Sequence, residues 1–169
     1  RSAADLEGTA QTLERCLALP QPTAVVRYQA GLFQALRNPS AARGLWQALS
    51  QEPAYAAAAQ TMVDALQMAA GSADPAYRMV TIGRALGSLG EWDVAAWAFS
   101  QAVQQSPDYA EAWALLAQAQ QALGQDGGPA LQRALALQPD AVLVPAAAAV
   151  YWLDRSEEHT SELQSPNTI

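Results

Sequence analysis

The sequence predicts an all-α fold, built as an array of helix-turn-helix units. Three observations predict it. Apolar residues recur at helical spacing in one stretch after another. Prolines at 20, 22, 53, 75, 107 and 139 punctuate those stretches. Between residues 76 and 109, two amphipathic patterns face each other across the turn Gly90-Glu91-Trp92, and Pro107 closes the unit. Small residues (Gly83, Ala95 and Ala102) stand where those two helices must touch, and Met79, Ile82, Leu86, Leu89 and Phe99 fill the space beside them.

Taken in order, residues 3–19 carry Leu6, Leu13, Cys16 and Leu17 at mostly helical spacing and end at Pro20. They read as the second helix of a unit whose first half is missing, so residues 1–20 are a partial unit. Residues 22–53 form a divergent unit. Its first helix, about 22–36, presents Val25, Tyr28, Leu32 and Leu36 on one face. Asn38-Pro39-Ser40 breaks it, and Ser40 is the expected N-cap of a second helix with Ala41, Leu45 and Ala48 inward. Residues 54–70 predict a helix with Met62, Leu66 and Ala69 inward, capped by Gly71. The interval from Pro53 to Pro75 is too short for a pair, so this helix is expected to be inserted and unpaired.

A third unit spans 110–141. Its first helix carries Ala112, Trp113, Leu116 and Ala117 and ends near Gly124. Asp126-Gly127-Gly128-Pro129 leads into a short second helix, 130–137. A partial unit, 142–154, has only a first helix. Leu143, Val144, Tyr151 and Trp152 are expected to lack cover there, because a repeat array propagates its core from unit to unit.

Spacing and small-residue register across 76–109 and 110–141 resemble the tetratricopeptide repeat, a helix-turn-helix motif of about 34 residues. The resemblance implies a right-handed α-solenoid, here truncated at both ends, and a use in protein–protein interaction. It also implies a ligand groove lined by the first helices. The matching positions are Thr23, Val26, Ala30 and Phe33, then Tyr77, Val80, Thr81 and Arg84, then Glu111, Ala114, Gln118 and Gln121. Phe33, Tyr77, Thr81, Arg84, Glu111, Gln118 and Gln121 are the candidate contact residues, and a solvated face without a ligand is the plainer alternative. Some relatives grip a terminal carboxylate with lysines and asparagines at these positions. Neither residue occurs at them here, so that subclass is not supported.

Residues 155–165, RSEEHTSELQS, are polar and without apolar period. They resemble the translation of a sequencing adapter, so 155–169 are read as a non-native tail, disordered or drawn as a helix with few apolar contacts. Without the tail, eight arginines and thirteen acids remain, and no histidine. The full chain of 169 residues carries a net charge of −7 and no lysine. An acidic balance with no basic cluster argues against a nucleic-acid surface. No window reaches the roughly 18 apolar residues of a spanning helix. A single cysteine cannot form an internal disulfide, and Cys16 reads as a small buried hydrophobe.

Catalytic constellations do not emerge. Without an authentic histidine there is no Ser-His-Asp set and no imidazole metal site. Asp5 and Glu7, and likewise Glu91 and Asp93, are two apart and would not share a helix face. The glycine-rich stretch 124–128 lacks the lysine and preceding strand of a phosphate loop and reads as a turn. Trp92 and Trp113 match packing positions of the repeat. Trp97 falls where the motif is usually polar and exposed; it is either packed on a neighbouring helix or an anchor on the outer surface. Neither cofactor nor metal is expected. Two functions stay open: a non-enzymatic scaffold binding a peptide or helix of a partner, and the repeat arm of a larger enzyme or export component.

Overall fold

A computed structural model describes residues 3–164, with side chains described for residues 5–153 and for Arg155. The described residues form nine helices and no strand. They are α1 (Ala3–Leu17), α2 (Ala24–Arg37), α3 (Pro39–Leu49), α4 (Ala56–Ala70), α5 (Pro75–Ser88), α6 (Trp92–Gln105), α7 (Ala110–Ala122), α8 (Gly128–Leu137) and α9 (Leu143–Gln164). The chain divides into two compact units, Arg1–Ser106 and Pro107–Ile169. Within each unit, neighbouring helices pack on one another in sequence order, as in an all-α repeat array. No helix among the described residues is long and apolar enough to cross a membrane.

In the first unit the pair α5/α6 is built as the sequence predicts. Ile82, Gly83 and Leu86 of α5 and Ala95, Phe99 and Ala102 of α6 are buried. Gly83 is required by the close approach of the helices. A Cβ there would lie 2.6 Å from Phe99 Cε1 and 3.1 Å from the Ala98 Cβ. Gly90 turns the chain between the helices at φ +80°, a conformation that favours glycine. Trp92 opens α6 and lays its ring over Gly87, where an added Cβ would stand 2.9 Å away.

The pair α2/α3 uses the same device in a different register. Gly31 sits against the indole of Trp46, 2.9 Å from where its Cβ would be, and Trp46 Nε1 donates to the Gly31 carbonyl at 3.3 Å. Trp46 is fully buried, and the inward residues of α3 are Ala42, Trp46 and Leu49. The predicted face of Ala41, Leu45 and Ala48 is therefore one residue out of phase: Ala41 and Ala48 are exposed and Leu45 is half-buried. On α2, Leu32 is buried as expected, but Val25 is 57% exposed. The N-cap is Asn38 rather than Ser40. Pro39 occupies the first helical turn, and Asn38 Oδ1 accepts from the Ala41 amide at 3.1 Å.

Helix α4 is not unpaired: it packs on both α3 and α5 and buries Ala59, Met62, Ala65, Leu66 and Ala69. Alternating alanine with larger residues lets one helix fit two neighbours. Gly71 is its C-cap, at φ −74°, so the glycine is not needed there for a left-handed turn. Helix α1 packs on α2, where Leu6 and Ala10 are buried and Cys16 is half-buried.

In the second unit, α7, α8 and α9 pack mutually around Ala110, Ala114, Ala134, Ala141 and Val144, with Trp113 and Leu137 partly buried beside them. Trp113 Nε1 donates to the Pro107 carbonyl at 2.9 Å. The glycine-rich stretch is a turn, as predicted, and also a packing element. Gly124 has φ +70°, while an added Cβ on Gly127 would collide with the Ala117 carbonyl. Helix α9 continues past residue 154 to Gln164. The expected scarcity of apolar contacts along 156–169 lies outside the residues whose side chains are described.

Candidate interaction groove

In the second unit, one face of α7 and one face of α9 enclose a shallow groove of about 190 Å³. Ala114, Leu115 and Gln118 line it from α7, and Leu143, Ala146, Ala147 and Val150 from α9. The α7 wall contains two positions implied from the sequence, Ala114 and Gln118. Ala114 is buried as the floor, and Gln118 is exposed. Glu111 is half-buried, one helical turn before Ala114 and Leu115 on the same side of α7. Gln121, one turn beyond Gln118, is half-buried and already engaged in the fold.

The α9 wall was missed by sequence reasoning, although its signal was present. Leu143, Ala146, Val150 and Leu153 follow Glu111, Ala114, Gln118 and Gln121 at the same interval of 32 residues that separates Pro107 from Pro139. Of the residues expected to lack cover on α9, Trp152 does and Val144 and Tyr151 do not. Val144 is fully buried because it points into the cluster shared by α7 and α8, and Tyr151 is 7% exposed. Leu143 is half-buried, whereas Trp152 is 62% and Leu153 61% exposed.

A polar staple holds the middle of α9. Asp126 Oδ1 accepts from the Gly128 amide at 2.9 Å and from the Tyr151 hydroxyl at 3.0 Å. Arg155 Nη1 donates to the Tyr151 oxygen at 3.0 Å, lies 3.8 Å from Asp126 and sits over the Tyr151 ring. The Gly128 amide first, then Tyr151 and Arg155, hold the Asp126 carboxyl below its ordinary range.

In the first unit, Tyr77, Thr81 and Arg84 of α5 follow at helical spacing on one side, about 10 Å end to end. Tyr77 is 39% exposed, and Arg84 is exposed without an ion pair among the described residues. The Thr81 hydroxyl donates to the Tyr77 carbonyl at 2.9 Å, so its hydrogen-bonding capacity is partly spent within the helix. Val80 is buried.

The positions implied on α2 do not form a ligand face. Ala30 and Phe33 are buried, and the Phe33 ring lies 6.4 Å from that of Trp97. Phe33 is thus a core contact between α2 and α6, and Trp97 is packed on a neighbouring helix rather than free on the outer surface. Thr23 caps α2 by accepting from the Val26 amide at 3.4 Å, with Val26 itself half-buried.

Beside this contact lies a second tie that the sequence did not announce. The Tyr28 hydroxyl donates to Glu91 Oε1 at 2.9 Å across 63 residues of chain. Its ring stands edge-on to Trp46 at 5.2 Å and near Tyr55 at 5.4 Å. Burial, then the Glu91 carboxylate, push the Tyr28 hydroxyl well above the usual phenol range.

Fold and groove together define an all-α helical array with an open apolar cleft between two helices of its second unit. Among the described residues no cluster of three potential metal ligands occurs. No protein-family model matches the chain, and comparison with curated proteins finds no match.

Proposed function

We propose that this chain is a non-enzymatic, tetratricopeptide-like scaffold that holds a peptide or helix of a partner protein against its first helices. The observation that carries this reading is the α7–α9 groove. Two first helices, separated by one second helix, lie side by side and leave a lined cleft between them. Gln118 at its rim can hydrogen-bond a ligand backbone, and the apolar α9 wall can take side chains. In the first unit, Arg84 on α5 offers a charge-assisted contact to an acidic group.

The test is a selection of displayed random 16-residue peptides on the immobilised chain, followed by calorimetric titration of the recovered sequences. Binding should fall when Gln118→Ala or Val150→Glu is introduced and should persist in Arg43→Ala, a change on the exposed side of α3. Recovery of no binding peptide, or equal loss in all three variants, would overturn the scaffold reading.

A further inference from the structure

We infer that the α7–α9 groove selects a partner segment in which a bulky aliphatic side chain stands one helical turn from a basic one. This rests on the scaffold reading and names the chemistry of its ligand. At about 190 Å³, the groove falls below the roughly 300–1,000 Å³ of small-molecule sites, and it suits a side chain or two. Its lining is apolar apart from Gln118. Leu153, three residues beyond Val150 on the same stripe, extends that wall into solvent at 61% exposure. Val150, at 48% exposure, and Leu153 thus leave apolar side-chain surface open to a partner beside the groove.

One end of the groove is acidic. Glu111 lies a turn before Ala114 and Leu115 on α7. Asp140 immediately precedes Ala141, which packs with Ala110 and Ala114 in one buried cluster, so the chain at Asp140 lies at the same end of the groove as Glu111. Neither has an ion-pair partner among the described residues. Arg155, by contrast, is at the opposite end of the groove and is held by Asp126 and Tyr151. A segment that seats leucine or isoleucine between Ala114 and Val150 would place a residue three or four positions away beside Glu111 and Asp140. Lysine or arginine there complements the charge, and aspartate or glutamate is repelled.

The peptides selected on the intact chain test this directly. The expected result is enrichment of an aliphatic residue with lysine or arginine three or four positions away. Val150→Glu and, separately, Leu153→Glu should each weaken binding by about tenfold or more, with the helical circular dichroism of both variants unchanged. The double change Glu111→Gln, Asp140→Asn should weaken it about three- to tenfold and remove most of its salt dependence. If the enriched peptides lack a basic residue, or bind the double variant as well as the parent, the charge assignment is wrong. The scaffold reading then survives only if Val150→Glu still abolishes binding. If no peptide is enriched, both fall. If the chain alone sediments as a dimer that Val150→Glu dissociates, the groove serves a second copy and the inference is overturned.

Discussion

Replacing Gly83 by alanine sets two opposed effects against each other, and the structure decides the sign. Alanine in a helix interior is favoured over glycine by about 0.5–1 kcal/mol, through backbone entropy and propensity. At Gly83 the new methyl would stand 2.6 Å from Phe99 Cε1, 3.0 Å from Cδ1 and 3.1 Å from the Ala98 Cβ. Phe99 is 2% exposed, so its ring has no solvent to swing into and α5 must move from α6. Overpacking of this kind costs about 1–3 kcal/mol, which exceeds the propensity gain. Gly83→Ala should therefore lower the melting temperature by a few degrees, at roughly 2–4 °C per kcal/mol for a chain of this size. Gly83→Leu should lower it further. The control is Gly44→Ala on α3, where nothing lies within 4 Å of the added methyl; it should raise the melting temperature slightly. Gly83→Ala combined with Phe99→Leu should be less unstable than the sum of the single changes, because the shorter side chain clears the methyl. Scanning calorimetry on the parent, these four variants and Phe99→Leu alone decides the matter. If Gly83→Ala stabilises as Gly44→Ala does, the helices do not approach as closely as described.

Three further outcomes can be checked together. Trp46→Ala should cost about 3–5 kcal/mol in denaturant unfolding, because a fully buried indole leaves a cavity beside Gly31; a loss under 1 kcal/mol would place Trp46 outside the core. Asp126 has a folded carboxyl pKa below its ordinary 3.8, so its stabilisation is complete above that value and fades as pH falls through the folded one; Asp126→Asn should flatten the acid limb of the stability curve between parent and variant. Tyr28 holds its proton more tightly folded than unfolded, so its stabilisation is complete below about pH 10 and is lost as pH rises; Tyr28→Phe should remove that alkaline loss, and identical alkaline limbs would refute the Glu91 bond.

Legibility differed sharply between elements. Around Gly83 and Phe99 the sequence pattern located helices, turn and inward residues, because the turn glycine Gly90 at φ +80° sets the phase and Gly83 marks the close approach. Around Gly31 and Trp46 the same reasoning placed α2 and α3 but misplaced their faces. The single residue Asn38 links those helices, and a shortened link rotates the second against the first. Phe33 shows the consequence: a position implied for a ligand is occupied by the contact with Trp97. For the groove, half was legible on α7, and the α9 half needed only the same interval carried forward.

Periodicity, proline and glycine placement, and composition thus determined by themselves that the chain is all-α, where helices α1 to α8 begin and end to within a few residues, and that α2 pairs with α3 and α5 with α6. Tertiary structure alone decided that α4 fills the space between α3 and α5, that Val144 and Tyr151 find cover on α7 and α8, and that Tyr28 reaches Glu91. The physical reason is range. Local pattern reports the dihedral preferences and the apolar side of one helix, which are fixed by residues three or four apart. Which neighbour meets that side depends on side-chain volumes and link lengths contributed by residues tens of positions away, and only the packed structure resolves that competition.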